Sequence, residues 1–266
     1  MRNFVSNTSK TVQATPLNPR KRAIVVGASG GIGAALSRKL AREGFSIALV
    51  DRDRGSLQSL CDDINKTSGE TRALIYEHDV TKYNSVPDTL RRIIADLGGI
   101  DTLVYIAGVI YFPAIDEYNF AEDHKMVEVN LLGAMAWTGA VAPLFQNAKG
   151  GQIVGISSVA GDRGRVSNPG YNASKAGLTN YLEALRNRLA RHGVNVLTVK
   201  PGFVKTPPTL NNVKKLMFAV EPNVAADMIW DGMKKRKQTI YVSGIWKLIM
   251  LVIRHIPSAI FRRLSF

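Results

Sequence analysis

The sequence predicts a doubly wound α/β fold, with one parallel sheet and helices on both faces. Three observations predict it. Short apolar runs of strand length alternate with helix-length patterns from residue 23 to residue 242, the signature of βαβ units. A glycine-rich turn, Gly27-Ala28-Ser29-Gly30-Gly31-Ile32-Gly33, falls directly between the first strand and the first helix, the position where such a turn can cradle a dinucleotide. The chain has 266 residues and 45% hydrophobic content, enough for a single sizeable core. Right-handed crossovers then place helices on both faces of the sheet.

The elements follow in order. Residues 1–22 are polar, contain two prolines and end in Arg20-Lys21-Arg22, which predicts a flexible N-terminal arm. They lack the continuous apolar stretch of a signal peptide. Ala23–Val26 is a strand, and the helix after the glycine turn runs through Glu43. Ser46–Val50 is a second buried strand, closed by Asp51. Asp53–Lys66 reads as a helix, Arg72–Tyr76 as a strand, Asn84–Leu97 as a helix and Thr102–Ile106 as a strand. His124–Gln146 is a long helix carrying Asn130, and Gln152–Ile156 is a strand ending at Ser157-Ser158. Tyr171–Arg191 is a helix with Leu178, Leu182, Leu185 and Leu189 along one side. Val194–Val199 is a strand closed by Pro201-Gly202. Residues 203–220 read as loop, with Pro207-Pro208 breaking any regular run. Val224–Lys234 is a helix and Thr239–Val242 a last strand. No internal repeat is visible, so residues 23–243 form one domain and residues 244–266 a basic amphipathic tail.

Charge and cysteine content narrow the setting. The net charge is +14, which invites anionic partners. The excess is concentrated at the end of the chain, since no acidic residue follows Asp231. Basic clusters such as Lys234–Lys237 lack the aromatic interleaving and reader motif of a nucleic-acid interface, and a solvated charged face accounts for them. One cysteine, Cys61, excludes an internal disulfide. It lies among Leu57, Leu60 and Ile64 at helical spacing and reads as a small core residue. A reducing, cytoplasmic setting is the default. His78, His124, His192 and His255 show no metal-ligand spacing, so no catalytic metal is expected.

The motifs point to hydride-transfer chemistry. Gly27 permits a tight turn, Gly31 lets backbone approach a pyrophosphate, and Gly33 allows close packing. The helix that follows turns free N–H groups and a positive dipole end toward phosphate. Asp51 ends the second strand, where a carboxylate meets the adenosine ribose and repels a 2′-phosphate. That favours NAD(H). Arg52 beside it offsets part of the charge and keeps NADP(H) open. Asp79-Val80 suits the adenine wall, although either aspartate also fits a helix N-cap. Tyr171 and Lys175 are four residues apart on one helix face. A cation near a phenol favours the phenolate, so Tyr171 can give or take a proton while Lys175 also holds the nicotinamide ribose. Ser158, at a strand end thirteen positions before Tyr171, is placed to bond a carbonyl oxygen. A tyrosine beside a lysine is usually surface decoration, but here it comes with the serine and the glycines, in order.

These residues reach a family. Over residues 22–243 the chain resembles the short-chain dehydrogenase/reductase family, through the glycine turn, Asp79-Val80, Ala107-Gly108, Asn130, Ser158, Tyr171-Asn172-Ala173-Ser174-Lys175, and Pro201-Gly202 with Thr206. The resemblance implies a Rossmann sheet of order 3-2-1-4-5-6-7 and a catalytic tetrad. In that tetrad Asn130 holds a water-linked proton path with Lys175, Ser158 orients the carbonyl, and Tyr171 is acid or base. It implies a cofactor site lined by Gly27, Ser29, Gly30, Gly31, Ile32, Gly33, Asp51, Arg52, Asp79, Val80, Ala107, Gly108, Tyr171, Lys175, Pro201, Gly202, Val204 and Thr206. It also implies a homodimer or homotetramer built on the helices of Asn130 and Tyr171. The chain departs from the family pattern at Ile106-Ala107-Gly108, where the family usually has Asn-Ala-Gly. The segments 160–165, 185–189 and 199–207 also resemble bacterial reductases of polyprenyl-phosphate-linked 2-keto-pentose.

The tail bears on substrate. Ile245–Phe266 interleaves apolar residues with Lys247, Arg254, Arg262 and Arg263. Arg254 and Pro257 interrupt a run too short to span a bilayer. The pattern fits a monotopic segment with Trp246 at the lipid interface. It fits equally a subunit-contact tail that buries its apolar face in an oligomer. The first reading predicts a lipid-linked or apolar substrate arriving from a membrane surface. The expected activity is NAD(P)(H)-dependent interconversion of a secondary alcohol and a ketone. Its rival is a non-catalytic dinucleotide sensor or membrane-associated scaffold, which has no need of Tyr171 and Lys175.

Overall fold

The computed structural model describes residues 21–213 and 216–264. Most of the expected N-terminal arm, residues 1–20, lies outside the described residues. The elements are β1 (Arg22–Val26), α1 (Gly31–Arg42), β2 (Ser46–Asp51), α2 (Arg54–Ser68), β3 (Ala73–Glu77), α3 (Val86–Leu97) and β4 (Thr102–Tyr105). Then come α4 (Phe120–Val127), α5 (Gly133–Ala148), β5 (Gln152–Ile156), α6 (Pro169–Leu189) and β6 (Asn195–Pro201). The chain continues through α7 (Pro207–Asn212), α8 (Pro222–Lys234), β7 (Thr239–Val242), α9 (Ile245–His255) and α10 (Ser258–Phe261). All seven strands pair in parallel in the order β3-β2-β1-β4-β5-β6-β7, the predicted order.

Strands buried on both faces read as continuous apolar runs, and Ala23 to Val26 are fully buried. On one face α1, α2 and α8 press Leu36, Leu57 and Ile229 onto the sheet. On the other, α3, α5 and α6 contribute Ile93, Trp137 and Leu182. Cys61 belongs to the first core, and its thiol donates to Ala73 O at 3.2 Å. Strand order reverses at β1, which has β2 on one side and β4 on the other. In a doubly wound sheet, ligands bind in the crevice beyond the strand ends at that switch point.

Several boundaries differ from expectation, each for a local reason. Arg22 belongs to β1 and not to the arm. Its buried guanidinium is neutralised by Asp101 at 2.9 Å and donates to Gly98 O. Pro87 holds the start of α3 at residue 86, after a 3₁₀ turn over 83–85. Pro207 does not break the chain; it occupies the first turn of α7, where its missing N–H costs nothing. The long central helix starts earlier than expected, at Phe120, because Asn119 caps it by accepting from Glu122 N.

That helix also changes winding. Residues Glu128–Leu132 are π-helical and join α4 to α5. A π turn leaves a carbonyl without its usual partner, and here Tyr105 Oη donates to Val129 O at 2.6 Å. Among the described residues, Phe120–Ala148 is also the one helical stretch long and apolar enough to cross a membrane. In this fold it lies on the sheet through Trp137, Val141 and Phe145. The chain end is helical too. On α9, Trp246, Met250 and Ile253 are buried and pack with Val159, while Leu248, Leu251 and Val252 on the other side are 61%, 57% and 65% exposed.

Candidate active site

A cavity of about 760 Å³ opens along the C-terminal edge of the sheet. All eighteen positions expected to hold a dinucleotide line it, from Gly27 through Thr206, as does Ser158. The glycine turn forms one end. Gly27 has a φ of +89°, and a Cβ there would strike the backbone N of Ala107 across the β1–β4 gap. A Cβ on Gly33 would overlap Gly27 O, so only glycine lets α1 start this close to the strand. The first turn of α1 carries no acidic residue and presents its free N–H groups to the cavity. A dinucleotide fits this cradle: the backbone can approach closely and the helix end favours anionic oxygens.

Asp51 lies opposite the turn. One carboxylate oxygen accepts from Ser29 N at 3.1 Å and Ser29 Oγ at 2.7 Å; the other accepts from Arg52 N at 2.8 Å. The carboxylate therefore also braces the glycine turn. Asp79 sits at the same end and caps its own turn by accepting from Thr81 N and Oγ1. Those bonds hold its carboxyl below the usual range.

The other end is built on β5 and α6. Ser158 follows β5 in an extended conformation, and its Oγ accepts from Ala160 N at 3.1 Å. Its own proton has a long contact, 3.4 Å, to Pro201 O and can turn to the Tyr171 hydroxyl. Ser157 beside it ties β5 to α6, donating to Lys175 O at 2.9 Å and meeting Thr179 Oγ1 at 2.7 Å. A Cβ on Gly161 would collide with Lys175 O. This close seating brings Ser158, Tyr171 and Lys175 onto one wall.

Lys175 is buried and donates to Ile156 O at 3.0 Å. Burial disfavours its charged form and lowers its pKa to about 8. Tyr171 is pushed up by burial, and two groups pull the other way: the Ser158 hydroxyl, then the Arg165 guanidinium. The Lys175 Nζ stands over the Tyr171 ring, 5.7 Å from its centroid, and the Arg165 guanidinium is a second cation that acts on the phenol. Asn130 is fully buried and does not line the cavity. Its side chain accepts from Val109 N at 2.7 Å and donates to Val109 O and Ser174 Oγ, each at 3.0 Å. It thus clamps the loop after β4 to α6 beside Tyr171 and Lys175.

Among the wall residues that sequence reasoning missed are Arg165 and Trp246. Arg165 lies between Ser158 and Tyr171, and its basic character within Asp162-Arg163-Gly164-Arg165 was the available signal. Trp246 was expected at a lipid interface or in a subunit contact. It is instead buried, 7% exposed, over Gly202 and edge-on to Phe203 at 5.7 Å between ring centroids. A tryptophan in an amphipathic helix looks the same in sequence whichever side it faces.

Residues 21–216 match the family model described as short chain dehydrogenase. An uncharacterized oxidoreductase of Myxococcus xanthus is 34% identical over 228 residues, covering 86% of this chain and 88% of that protein. One of Staphylococcus epidermidis is 35% identical over 71% of this chain and 80% of its own length. HetN, a ketoacyl reductase of Nostoc, is 29% identical over 91% of this chain and 87% of its own. Among solved structures, a short-chain type dehydrogenase/reductase from Mycobacterium marinum superposes with a TM-score of 0.77 at 26% identity, covering 85% of this chain and 95% of that one. ElxO with NADP bound superposes equally well, also at 0.77, over 85% of this chain and 98% of that one; at 19% identity it bears on the fold alone. The chain belongs to the short-chain dehydrogenase/reductase family and is an oxidoreductase of the NAD(P)(H)-dependent kind.

Proposed function

We propose that this enzyme interconverts a secondary alcohol and a ketone, with Ser158, Tyr171 and Lys175 as its catalytic residues and Asn130 completing the set as their positioning residue. The observation that carries the reading is the shared wall: hydroxyl, phenol and ammonium face one cavity whose far end is the glycine cradle. A nicotinamide cofactor, held by the glycine turn and by Tyr171 and Lys175, would supply or accept the hydride. Ser158 donates to the substrate oxygen and holds it beside Tyr171. In reduction the Tyr171 hydroxyl gives its proton to that oxygen, and in oxidation the phenolate takes it back. Lys175 and Arg165 supply the positive field that makes either state accessible. A relative named as a ketoacyl reductase agrees with a ketone as the oxidised partner. A sensor or scaffold is the weaker reading, because relatives along the whole domain are named oxidoreductases.

For the cofactor we propose NAD(H) over NADP(H), because the Asp51 carboxylate stands at the cradle. Arg52 is exposed beside it and is the feature that would admit a 2′-phosphate. The substrate reading is an apolar, lipid-linked carbonyl compound such as a polyprenyl-phosphate keto-sugar, reached from the inner face of a membrane. Its support is the outer stripe of α9 with exposed Lys247, Arg254, Arg262 and Arg263 around it. A homodimer or homotetramer is proposed through α5 and α6, since Leu132, Met135 and Leu144 stand exposed on the long central helix.

The experiment is a fluorescence titration with NADH and NADPH, followed by turnover of ketones, keto-sugars and acyl substrates by wild type and Tyr171→Phe. The variant should bind cofactor as wild type does and lose on the order of 10²–10⁴-fold in kcat. Unchanged turnover in Tyr171→Phe would refute the mechanism.

A further inference from the structure

Arg165 is a charged group that the reaction as described does not need for binding cofactor. It sits in the loop between the 159–161 turn and α6 and lines the same cavity as Tyr171. Its Nε is buried and has no hydrogen-bond partner among the described residues. Two groups favour its charge, the Tyr171 phenol and then Asp162, and Asp162 is already committed. Its buried carboxylate accepts from Lys200 Nζ on one oxygen and from Tyr241 Oη at 2.7 Å on the other. Arg163, the other basic residue of the loop, is also committed, capping the end of α9 at Ile253 O and Ile256 O and stacking on Phe261. Among the described residues, no oxygen meets the buried Arg165 Nε.

A guanidinium drawn out of water without a counter-ion is costly, and its fork geometry matches a carboxylate or phosphate. The walls contributed by Phe112, Pro113, Phe203, Val213 and Trp246 are apolar, so an oxyanion entering there gains by pairing with the Arg165 guanidinium. We propose that Arg165 is the substrate-anion residue of this site. The substrate carries an oxyanion, carboxylate or phosphate, close to the carbon that exchanges hydride, attached to an apolar body. The inference rests on the reading of Tyr171 as the proton-transfer group, which places the reacting carbon next to Arg165.

A binding experiment tests this without knowing the natural substrate. The full-length protein is saturated with whichever of NADH or NADPH it binds more tightly. Octyl phosphate, octanoate and 1-octanol are then titrated in, with tryptophan fluorescence as the readout because Trp246 lines the cavity. At least one anion should bind about tenfold or more tightly than octanol. Arg165→Met should bring that ratio close to one, and Arg165→Lys should keep part of it. The order of the two anions tells phosphate from carboxylate. Equal binding of octanol and both anions, no anion binding at millimolar concentration, or a preference that survives in Arg165→Met would each overturn the proposal. A role limited to the acidity of Tyr171 would leave the ratio unmoved. If Arg165→Met does not fold, by its melting curve and cofactor binding, the wild-type comparison and Arg165→Gln decide. Failure to bind either dinucleotide would strike at the proposed function itself, whereas equal binding by a cofactor-loaded enzyme strikes at this inference alone.

Discussion

The indole of Trp246 rests on Gly202, so closely that a Cβ at position 202 would overlap the ring. A residue from the helix after the last strand thus closes the cavity against the turn that follows β6. The contact couples the chain's end to its active site. Gly202→Ala should displace the indole, lowering both stability and ligand binding. Trp246→Ala should cost about 3 kcal/mol or more, the usual range for losing a buried large aromatic. The two changes should be strongly non-additive, since in the double variant the added methyl has room. Chemical denaturation of the four proteins of the cycle checks this; additive losses would show that the contact does not matter.

Lys175 gives a pH signature. Its folded pKa is lowered to about 8 from 10.5, so between those values the unfolded chain binds more protons. Stability therefore rises with pH across that window, and the penalty for charging a buried ammonium is fully present below pH 8. The shift corresponds to roughly 3 kcal/mol. Lys175→Met should flatten the rise between pH 8 and 10.5 and should stabilise the protein at pH 7 while abolishing turnover. Denaturation midpoints of both proteins across this range are the measurement, and parallel curves would contradict the assignment.

Asp51 and Arg52 set the cofactor. Asp51→Asn removes the charge that opposes a 2′-phosphate and should lower the NADPH-to-NADH ratio of Kd by about tenfold or more. Arg52→Ala should raise the ratio. Because Asp51 also accepts two bonds from Ser29, NADH affinity should fall somewhat in Asp51→Asn. Tighter NADPH than NADH binding by wild type would reverse the preference proposed here.

The outer stripe of α9 is separable from its inner one. Cutting the chain at residue 243 would strip Trp246, Met250 and Ile253 from the core and so confuse folding with docking. Leu248→Glu with Val252→Glu changes only exposed positions. If the stripe meets anionic lipid, wild type should float with phosphatidylserine vesicles and the double variant should not. Retention of flotation by the variant would exclude α9 as the membrane contact. Loss of a dimer in the variant, with no flotation by wild type, would assign the stripe to a subunit interface.

The architecture was legible because its signals are local. Strand-length apolar runs alternating with helices set a parallel sheet covered on both faces, and the resemblance implied its strand order. The glycine turn was readable from its place between strand and helix. Proline was misread at 207 and underweighted at 87, because the same residue breaks a helix interior and starts a helix well. The π turn at Glu128–Leu132 left no trace in periodicity. It depends on Tyr105 reaching Val129 O from another element.

By itself, then, the chain's order of residues determined the fold class, and its resemblance to a family implied the strand order and eighteen of the positions that line the cavity. Only tertiary structure decided that Arg165 joins Lys175 at Tyr171, that Asn130 acts as a clamp behind the wall, and that Trp246 faces inward. Those outcomes are matters of pairing. Asp162 could have held Arg163, Arg165 or Lys200, and its pairing with Lys200 and Tyr241 leaves the buried Arg165 Nε without a hydrogen-bond partner among the described residues.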